Sequence, residues 1–414
     1  MGKRVVILGA GFGGLHAALI LSKKLGGKHE VILIDKNSHH TFTPLLYEVA
    51  TTSKEIANYT QLHGVTTYEI KDILGDLPVN FVQSGVKVVD VSGGDIHLDS
   101  GERVKYDYLI IALGSETNFF NIPGLKENAL ELKSFTDAIK IRDTIWNLIQ
   151  GGKTNLKVVV GGGGSTGVEF AAELQNWLCE IKSTNRECDT EVTIVEAGQT
   201  ILNGFKTNIV SKVARRLKRL GVNILTNEPI VKVSKNVATL KGGRELRLDV
   251  LVWAGGVKAN SVIGVMPFKL EKKGRSEVSD AMICLPETPT LKLYGKIYGV
   301  GDIVCIYDKR GNPVPMVARA AISQATVAAK NIISEIEGRE PQYTYKPMDY
   351  PYIIPVGGKY AVAKVGPLCL SGFLGWVLKG LVELNYILSI MPTKKALKIW
   401  LKGLKMFVQN DRLG

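Results

Sequence analysis

Two glycine series, each followed at a fixed distance by an acid, are the residues of this 414-residue chain whose types and spacing could do chemistry. The first is Gly9-Ala10-Gly11-Phe12-Gly13-Gly14, with Asp35 and Lys36 beyond it. Gly9 permits a tight turn, Gly11 lets backbone N–H groups approach a pyrophosphate, and Gly14 lets a helix pack closely on a strand. Asp35 is spaced to accept from the ribose hydroxyls of an adenosine. The second series, Gly161-Gly162-Gly163-Gly164-Ser165-Thr166-Gly167, repeats these roles through Gly162, Gly164 and Gly167, with Glu196 as its acid. Glu196 would repel a 2′-phosphate, and Ala197-Gly198 brings no arginine beside it, so this site is expected to prefer NAD to NADP.

The elements needed to position these residues are legible around them. Val5 to Leu8 reads as a strand, the run to Leu25 as a helix, and Val31 to Ile34 as a strand. Lys157 to Val160, a helix from Val168 to Cys179, and Glu191 to Val195 repeat that order. Between the two units, the run Lys36 to Thr52 contains Pro44 and Leu45 and lies at the carboxyl edge of the first sheet, where ligands bind in open α/β folds. Tyr106 to Ser115 is a buried strand ending in small residues, Ala112 and Gly114, that admit a close ligand. Asp249 to Asn260 delivers Ala254-Gly255-Gly256 in the same way. Ile297 to Asp302 ends in Gly301 and an acid able to bind a polyhydroxyl chain. Pro315 to Ile333, which includes Ala318, is an alanine-rich helix whose N-terminus could face a developing anion.

Glu169 stands two residues past Gly167, on the first turn of its helix. There it could face a bound nicotinamide, the plainer reading being a favourable N-terminal charge. His39 and His40 have no partners at ligand spacing, so they are read as solvated or hydrogen-bonded and no metal is assigned. The five cysteines show neither CxxC nor CxxxxC spacing and read as ordinary thiols.

Composition sets the limits. A chain with 45% hydrophobic residues is neither disordered nor fibrous, and its length suits two or three domains. The excess of 52 basic over 39 acidic residues favours anionic partners. Nucleic acid is set aside, because the basic helix Ile209 to Leu220 has no interleaved aromatics. The Val5 to Leu8 run is too short for a signal peptide and belongs to the first unit. In the C-terminal tail, Leu368 to Met391 is apolar but interrupted by Lys379, Glu383 and Asn385, which argues against a span. The segment Thr393 to Val408 then sets Leu397, Trp400, Leu401, Leu404 and Val408 against Lys394, Lys398, Lys402 and Lys405. That pattern suits a basic amphipathic helix on an anionic lipid surface. Its alternative is a helix packed on its own protein or on a second subunit, and a homodimer is compatible with both.

FTPLLYEVAT, YDYLIIALGS, GGGGSTGVE, WAGGVKAN and YGVGD occur in this order. In this the chain resembles the type II NADH:quinone oxidoreductases, single-subunit flavoenzymes of respiratory membranes. The resemblance implies an α/β fold of two Rossmann-like dinucleotide-binding domains, glutathione-reductase-like, with a C-terminal membrane-associating helical segment. An FAD-binding domain would take residues 1–120 and 257–345, an NAD-binding domain 121–256, and a C-terminal domain 346–414. Non-covalent FAD would lie on Gly9, Gly11, Gly14 and Asp35, with Phe12 and Gly13 in the same turn and Lys36 beside Asp35. Ala112, Gly114, Gly301 and Ala318 would line it, Asp302 would hold its ribityl chain, and Pro44 and Leu45 would place backbone near the isoalloxazine. NADH would lie on Gly162, Gly164, Ser165, Thr166, Gly167, Glu196 and Ala254 to Gly256. Glu169 matches the family's glutamate near the nicotinamide and quinone.

The family's AQxAxQ helix is altered here. Arg319 and Ser323 occupy the glutamine positions and Gln324 follows one residue later, so these three are the quinone-pocket candidates. The implied activity is hydride transfer from NADH to FAD and then two electrons to a membrane quinone without proton pumping, at the cytoplasmic face of the cell membrane. A sulfide:quinone oxidoreductase on the same scaffold, needing a cysteine pair at the flavin, and an NADH- and FAD-holding redox-sensing interaction protein are the competing readings.

Overall fold

The computed structural model describes every residue except 1, 182–189, 267–269, 272–281, 285–289, 310 and 411–414. The chain forms two compact units. One comprises Met1–His40, Tyr68–Thr117 and Val257–Tyr350, and the other Thr41–Thr67, Asn118–Gly256 and Pro351–Gly414.

In the first unit the strand Arg4–Leu8 is the centre, because Val5 to Leu8 are wholly buried and so need neighbours on both sides and cover on both faces. Glu30–Asp35 and Tyr108–Ile111 flank it in parallel, Val5 lying opposite Val31 and Tyr108. Asn80–Gln83, Ile297–Gly299 and Lys292–Tyr294 complete the sheet. After the central strand, Gly9 takes φ +95°, which an L side chain rarely adopts. The helix Phe12–Leu25 follows and ends on Gly26 in the left-handed conformation, with Lys23 and Lys24 in its last turn favoured by the carbonyl end. It packs on the helix Ala318–Ile336, whose buried Ala321 permits the close approach.

The second unit repeats the plan. Its parallel sheet runs Leu130–Glu131, Val250–Trp253, Leu156–Gly161, Thr190–Val195 and Asn223–Leu225. The Trp253 ring fills the space where Cβ atoms on Gly161 and Gly255 would go, and its indole N–H donates to the Asn118 carbonyl at 2.8 Å. The helix Phe135–Gln150 begins with a reciprocal cap between Ser134 and Asp137. The strands Tyr352–Pro355, Ala361–Val365 and Leu368–Gly372 form an antiparallel sheet, followed by the helices Phe373–Ile390 and Thr393–Asn410.

Several elements depart from the sequence expectation. The second dinucleotide helix starts at Ser165 rather than Val168, and the alanine-rich helix at Ala318 rather than Pro315, because Val317 is extended (φ −129°, ψ 150°) and serves as its cap. The run Thr41–Thr67, read with the first sheet, clusters with the second unit, its helix Leu46–Thr51 packing on Phe135–Gln150 and Ser165–Ile181. Residues Pro351–Gly414 join the same unit rather than standing alone. In the last helix the packed face is Ala396, Gly403, Met406 and Phe407, and not the leucine stripe. Gly403 brings the backbone close to Val65, and the Asn410 side chain accepts from the Ser53 N–H and donates to the Thr51 carbonyl. Leu397 and Leu401 stay exposed beside Lys394, Lys398, Lys402 and Lys405.

A Cβ on Gly14 would overlap the Gly9 carbonyl, whereas one on Gly11 would meet open space. Gly14→Ala is therefore expected to destabilise the protein by about 1 to 3 kcal/mol. Gly11→Ala should leave thermal unfolding unchanged, and differential scanning calorimetry of both variants checks the contrast.

Candidate active site

In the first unit the turn is shaped for a ligand's backbone rather than for side chains. Gly9 donates to the Ile34 carbonyl at 2.7 Å, and a Cβ there would strike the Ala112 carbonyl. Gly11 is the cap of the helix Phe12–Leu25 and makes no side-chain cap bond, and among the described residues nothing stands within 4 Å of where its Cβ would be. That cradle fits a pyrophosphate. Asp35 fastens the turn, its Oδ2 accepting from the Ala10 N–H at 2.7 Å and its Oδ1 from the Asn37 N–H at 2.8 Å. Lys36 is exposed, and Gly114 takes φ +69° with open space over it.

At the far strand of this unit, Gly301 takes φ +79° and its N–H donates to Gln324 Oε1 at 2.7 Å. Asp302 Oδ2 accepts from Ser115 Oγ at 2.6 Å. Gly301, Asp302, Pro315, Ala320 and Gln324 line a small cleft at the N-terminal end of the helix that opens on Ala318. Of the three quinone-pocket candidates, Gln324 is buried and committed to Gly301 and Tyr345. Ser323 bonds Tyr350, and Arg319 is exposed near the same tyrosine. The helix thus divides the three, with Gln324 serving the Gly301 turn. His40 is a core residue: its Nδ1 donates to the Ala10 carbonyl at 2.9 Å, and burial lowers it to about 4, so the ring is neutral.

The second unit repeats the hydrogen bonds and close contacts of the first turn. Gly162 takes φ +106° and donates to the Val195 carbonyl, and a Cβ on it would lie 2.5 Å from Gly255 Cα and 2.6 Å from the Ala254 carbonyl. The backbone of Ala254 and Gly255 thus passes close against this turn, and Gly255 has no room for a Cβ because the Trp253 ring fills that space. Gly164 has open space, Ser165 and Thr166 are exposed on the first helical turn, and a Cβ on Gly167 would overlap the Gly162 carbonyl. Glu196 repeats Asp35: Oε2 accepts from the Gly163 N–H and Oε1 from the Gly198 N–H, both at 2.6 Å. Each acid therefore clamps its own glycine turn.

Glu169 opens onto a buried ionic group that the sequence reading missed. Glu48, 2% exposed in the helix Leu46–Thr51, pairs with Lys379, which also pairs with Glu383 at 2.8 Å. Tyr47 donates its hydroxyl to Glu48 Oε1 at 2.7 Å. Burial pushes the Glu169 carboxyl up to about 8, Lys379 pulling it down and Glu48 raising it. Burial opposes the charge on Lys379, but Glu383 and Glu48 outweigh it and hold the ammonium above its usual range. The available signals were a glutamate inside PLLYEVAT and an i,i+4 Lys–Glu pair inside an apolar helix. Phe373–Ile390 is long and apolar enough to cross a membrane by length and composition, yet its two charges are spent on this cluster. Pro44 and Leu45 form a single 3-10 turn just before Glu48's helix, Leu45 buried and Pro44 exposed.

One cysteine corrects the sequence reading. Cys179 is disulfide-bonded, whereas Cys369 is a free thiol and Cys305 is buried. A bridge requires two close Cα atoms, about 4.4 to 6.8 Å apart, and motif spacing does not test that.

Residues 3–325 match the family model of the pyridine nucleotide-disulphide oxidoreductases. The chain is 30% identical over 373 residues to the type II NADH:quinone oxidoreductase of Haemophilus influenzae, covering 81% of each protein. It is 29% identical to the enzyme Ndh of Mycobacterium tuberculosis, which bears the same description, over 96% of this chain and 87% of that one. Its fold matches the NDH2 structure from Plasmodium falciparum in complex with NADH over 100% of both chains, with a TM-score of 0.82 at 21% identity. It also matches a sulfide:quinone oxidoreductase from Aquifex aeolicus, with a TM-score of 0.77 at 18% identity over 99% of this chain and 96% of that one. With two open glycine cradles in place and relatives of one description along most of its length, this chain belongs to the pyridine nucleotide-disulphide oxidoreductases and, among them, to the type II NADH:quinone oxidoreductases.

Proposed function

We propose that this chain oxidises NADH through non-covalent FAD and reduces a quinone at the cytoplasmic face of the cell membrane. The observation that carries the reading is the duplicated cradle, with Gly11 and Gly164 both open where a pyrophosphate would lie. When bound, FAD supplies the two-electron carrier that takes a hydride from NADH and passes electrons to the acceptor. The first unit would hold it by Gly9, Gly11, Gly14 and Asp35, with Asp302 toward the ribityl chain. Gly162, Gly164, Gly167 and Glu196 would hold NADH, and the carboxylate of Glu196 disfavours a 2′-phosphate.

Reducing a quinone consumes two protons, and Glu169 is the group suited to give one. Burial pushes its carboxyl up to about 8, so it is protonated through the neutral range and can donate from its carboxyl oxygen. Lys379, held charged by Glu48 and Glu383, stabilises the carboxylate left behind. The exposed lysines of the last helix, with Leu397 and Leu401 between them, suit an anionic lipid surface.

Anaerobic stopped-flow should show NADH bleaching the flavin absorbance and a short-chain quinone restoring it. Bleaching by sulfide in place of NADH would move the chain to the sulfide-oxidising reading. Quinone turnover should fall as pH rises through about 8, where Glu169 loses its proton. Glu169→Gln should lower turnover by about 10²-fold and remove that inflection, as measured by pH profiles of both proteins. Finally, replacing Lys398, Lys402 and Lys405 with Gln should weaken flotation with anionic vesicles by about 10²-fold at low salt, at roughly 1 kcal/mol per cation.

A further inference from the structure

The helix Thr207–Leu220 buries Ile209, Val213 and Leu217 and sets Lys212, Arg215, Arg216 and Arg219 along a neighbouring face. With Tyr360 and Ser371 these four cations line one cleft, and no carboxylate is among its lining residues. The cleft is built rather than incidental. Arg216 is fixed from two sides, its Nε donating to the Val356 carbonyl at 3.2 Å and its Nη2 to the Gly357 carbonyl at 3.1 Å. Its guanidinium also lies 4.9 Å from the centre of the Tyr360 ring. Lys212 reaches Cys369 Sγ at 3.7 Å, on the same strand face as Ser371. The remaining donors of four cations converge on one concavity, which suits an oxyanion with several oxygens.

What borders the cleft decides the kind of anion. Ser371 belongs to Leu368–Gly372, the edge strand of its sheet, and the other face of that strand carries Leu368 and Leu370, 64% and 36% exposed. The next two residues after the strand, Phe373 and Leu374, are 54% and 64% exposed, and Phe373 stacks on Trp376 at 5.7 Å. A soluble phosphate needs no apolar border, and the exposed border here is mostly aliphatic, Leu368, Leu370 and Leu374, where a nucleic acid would be met by a series of stacking aromatics interleaved with the cations. Cations beside exposed leucines and an aromatic pair match the depth profile of a bilayer interface, headgroups above and acyl chains below.

We propose that this cleft binds the phosphate headgroup of an anionic lipid, with the edge strand entering the interface edge-on so that its leucines reach the acyl boundary. The inference rests on the membrane reading above and adds a second contact, built by Arg215, Arg216, Arg219 and Lys212, to the lysines of the last helix. It extends the membrane-facing surface of the second unit from the last helix to the helix Thr207–Leu220.

The test uses the full-length holoprotein and vesicles of phosphatidylcholine with or without phosphatidylglycerol. Arg215→Gln/Arg219→Gln is expected to weaken flotation with the anionic vesicles about 30-fold, at roughly fivefold per exposed cation, and to reduce its salt dependence. NADH oxidation with a water-soluble quinone should match the unaltered protein, which shows that the variant is folded. Flotation equal to the unaltered protein would overturn the proposal. So would loss of binding to inorganic pyrophosphate or to a short DNA oligomer with vesicle binding intact, which would assign the cleft to a soluble anion or to nucleic acid. If the unaltered protein itself fails to float, the membrane reading fails rather than the cleft alone.

Discussion

A buried ammonium must keep its carboxylates, and much of the second unit follows from that constraint at Lys379. Removing either partner of such a pair costs about 3 to 5 kcal/mol, because it strands a charge away from water. Lys379 therefore pins the helix Phe373–Ile390 to the short helix that carries Glu48, and Glu383 closes the group one turn along. The arrangement gives both charges of an otherwise apolar helix partners inside the protein. It also sets the field that Glu169 feels. Tyr47, pushed well up by burial with Glu48 and Glu169 adding to it, stays a hydroxyl donor to Glu48.

The two glycine turns illustrate a different economy. In each unit a carboxylate spends one oxygen on the N–H inside the turn and the other on the N–H two residues past itself. The acid is thus a structural brace before any ligand arrives, which leaves the turn preformed and its remaining lone pairs in place for hydroxyls. Pre-organisation of this sort reduces the ordering cost of binding a long, flexible cofactor.

The helix Ala318–Ile336 shows how one residue of helical displacement redirects a side chain. Gln324 turns inward to the Gly301 turn, whereas Ser323 faces Tyr350 and Arg319 remains exposed near that ring. A step of one residue rotates a side chain by about 100° around the helix. The same arithmetic explains the last helix, where Ala396, Gly403 and Phe407 pack while Leu397 and Leu401 are left outside.

What the sequence by itself determined is local: the strand, glycine turn, helix and strand of each unit, the two acids that close them, and the place of Glu169 in the helix that follows the second turn. Those depend on spacings of a few to some thirty residues, where periodicity and backbone stereochemistry decide the outcome. Only the tertiary structure decided which segments share a unit, that Thr41–Thr67 joins the second dinucleotide fold, and that Glu48 meets Lys379 across 331 positions of chain. The physical reason is that a buried charge is recognised by its partner's position in space. In sequence, a glutamate inside an apolar helix and a lysine inside another look like interruptions, and only folding makes them a pair.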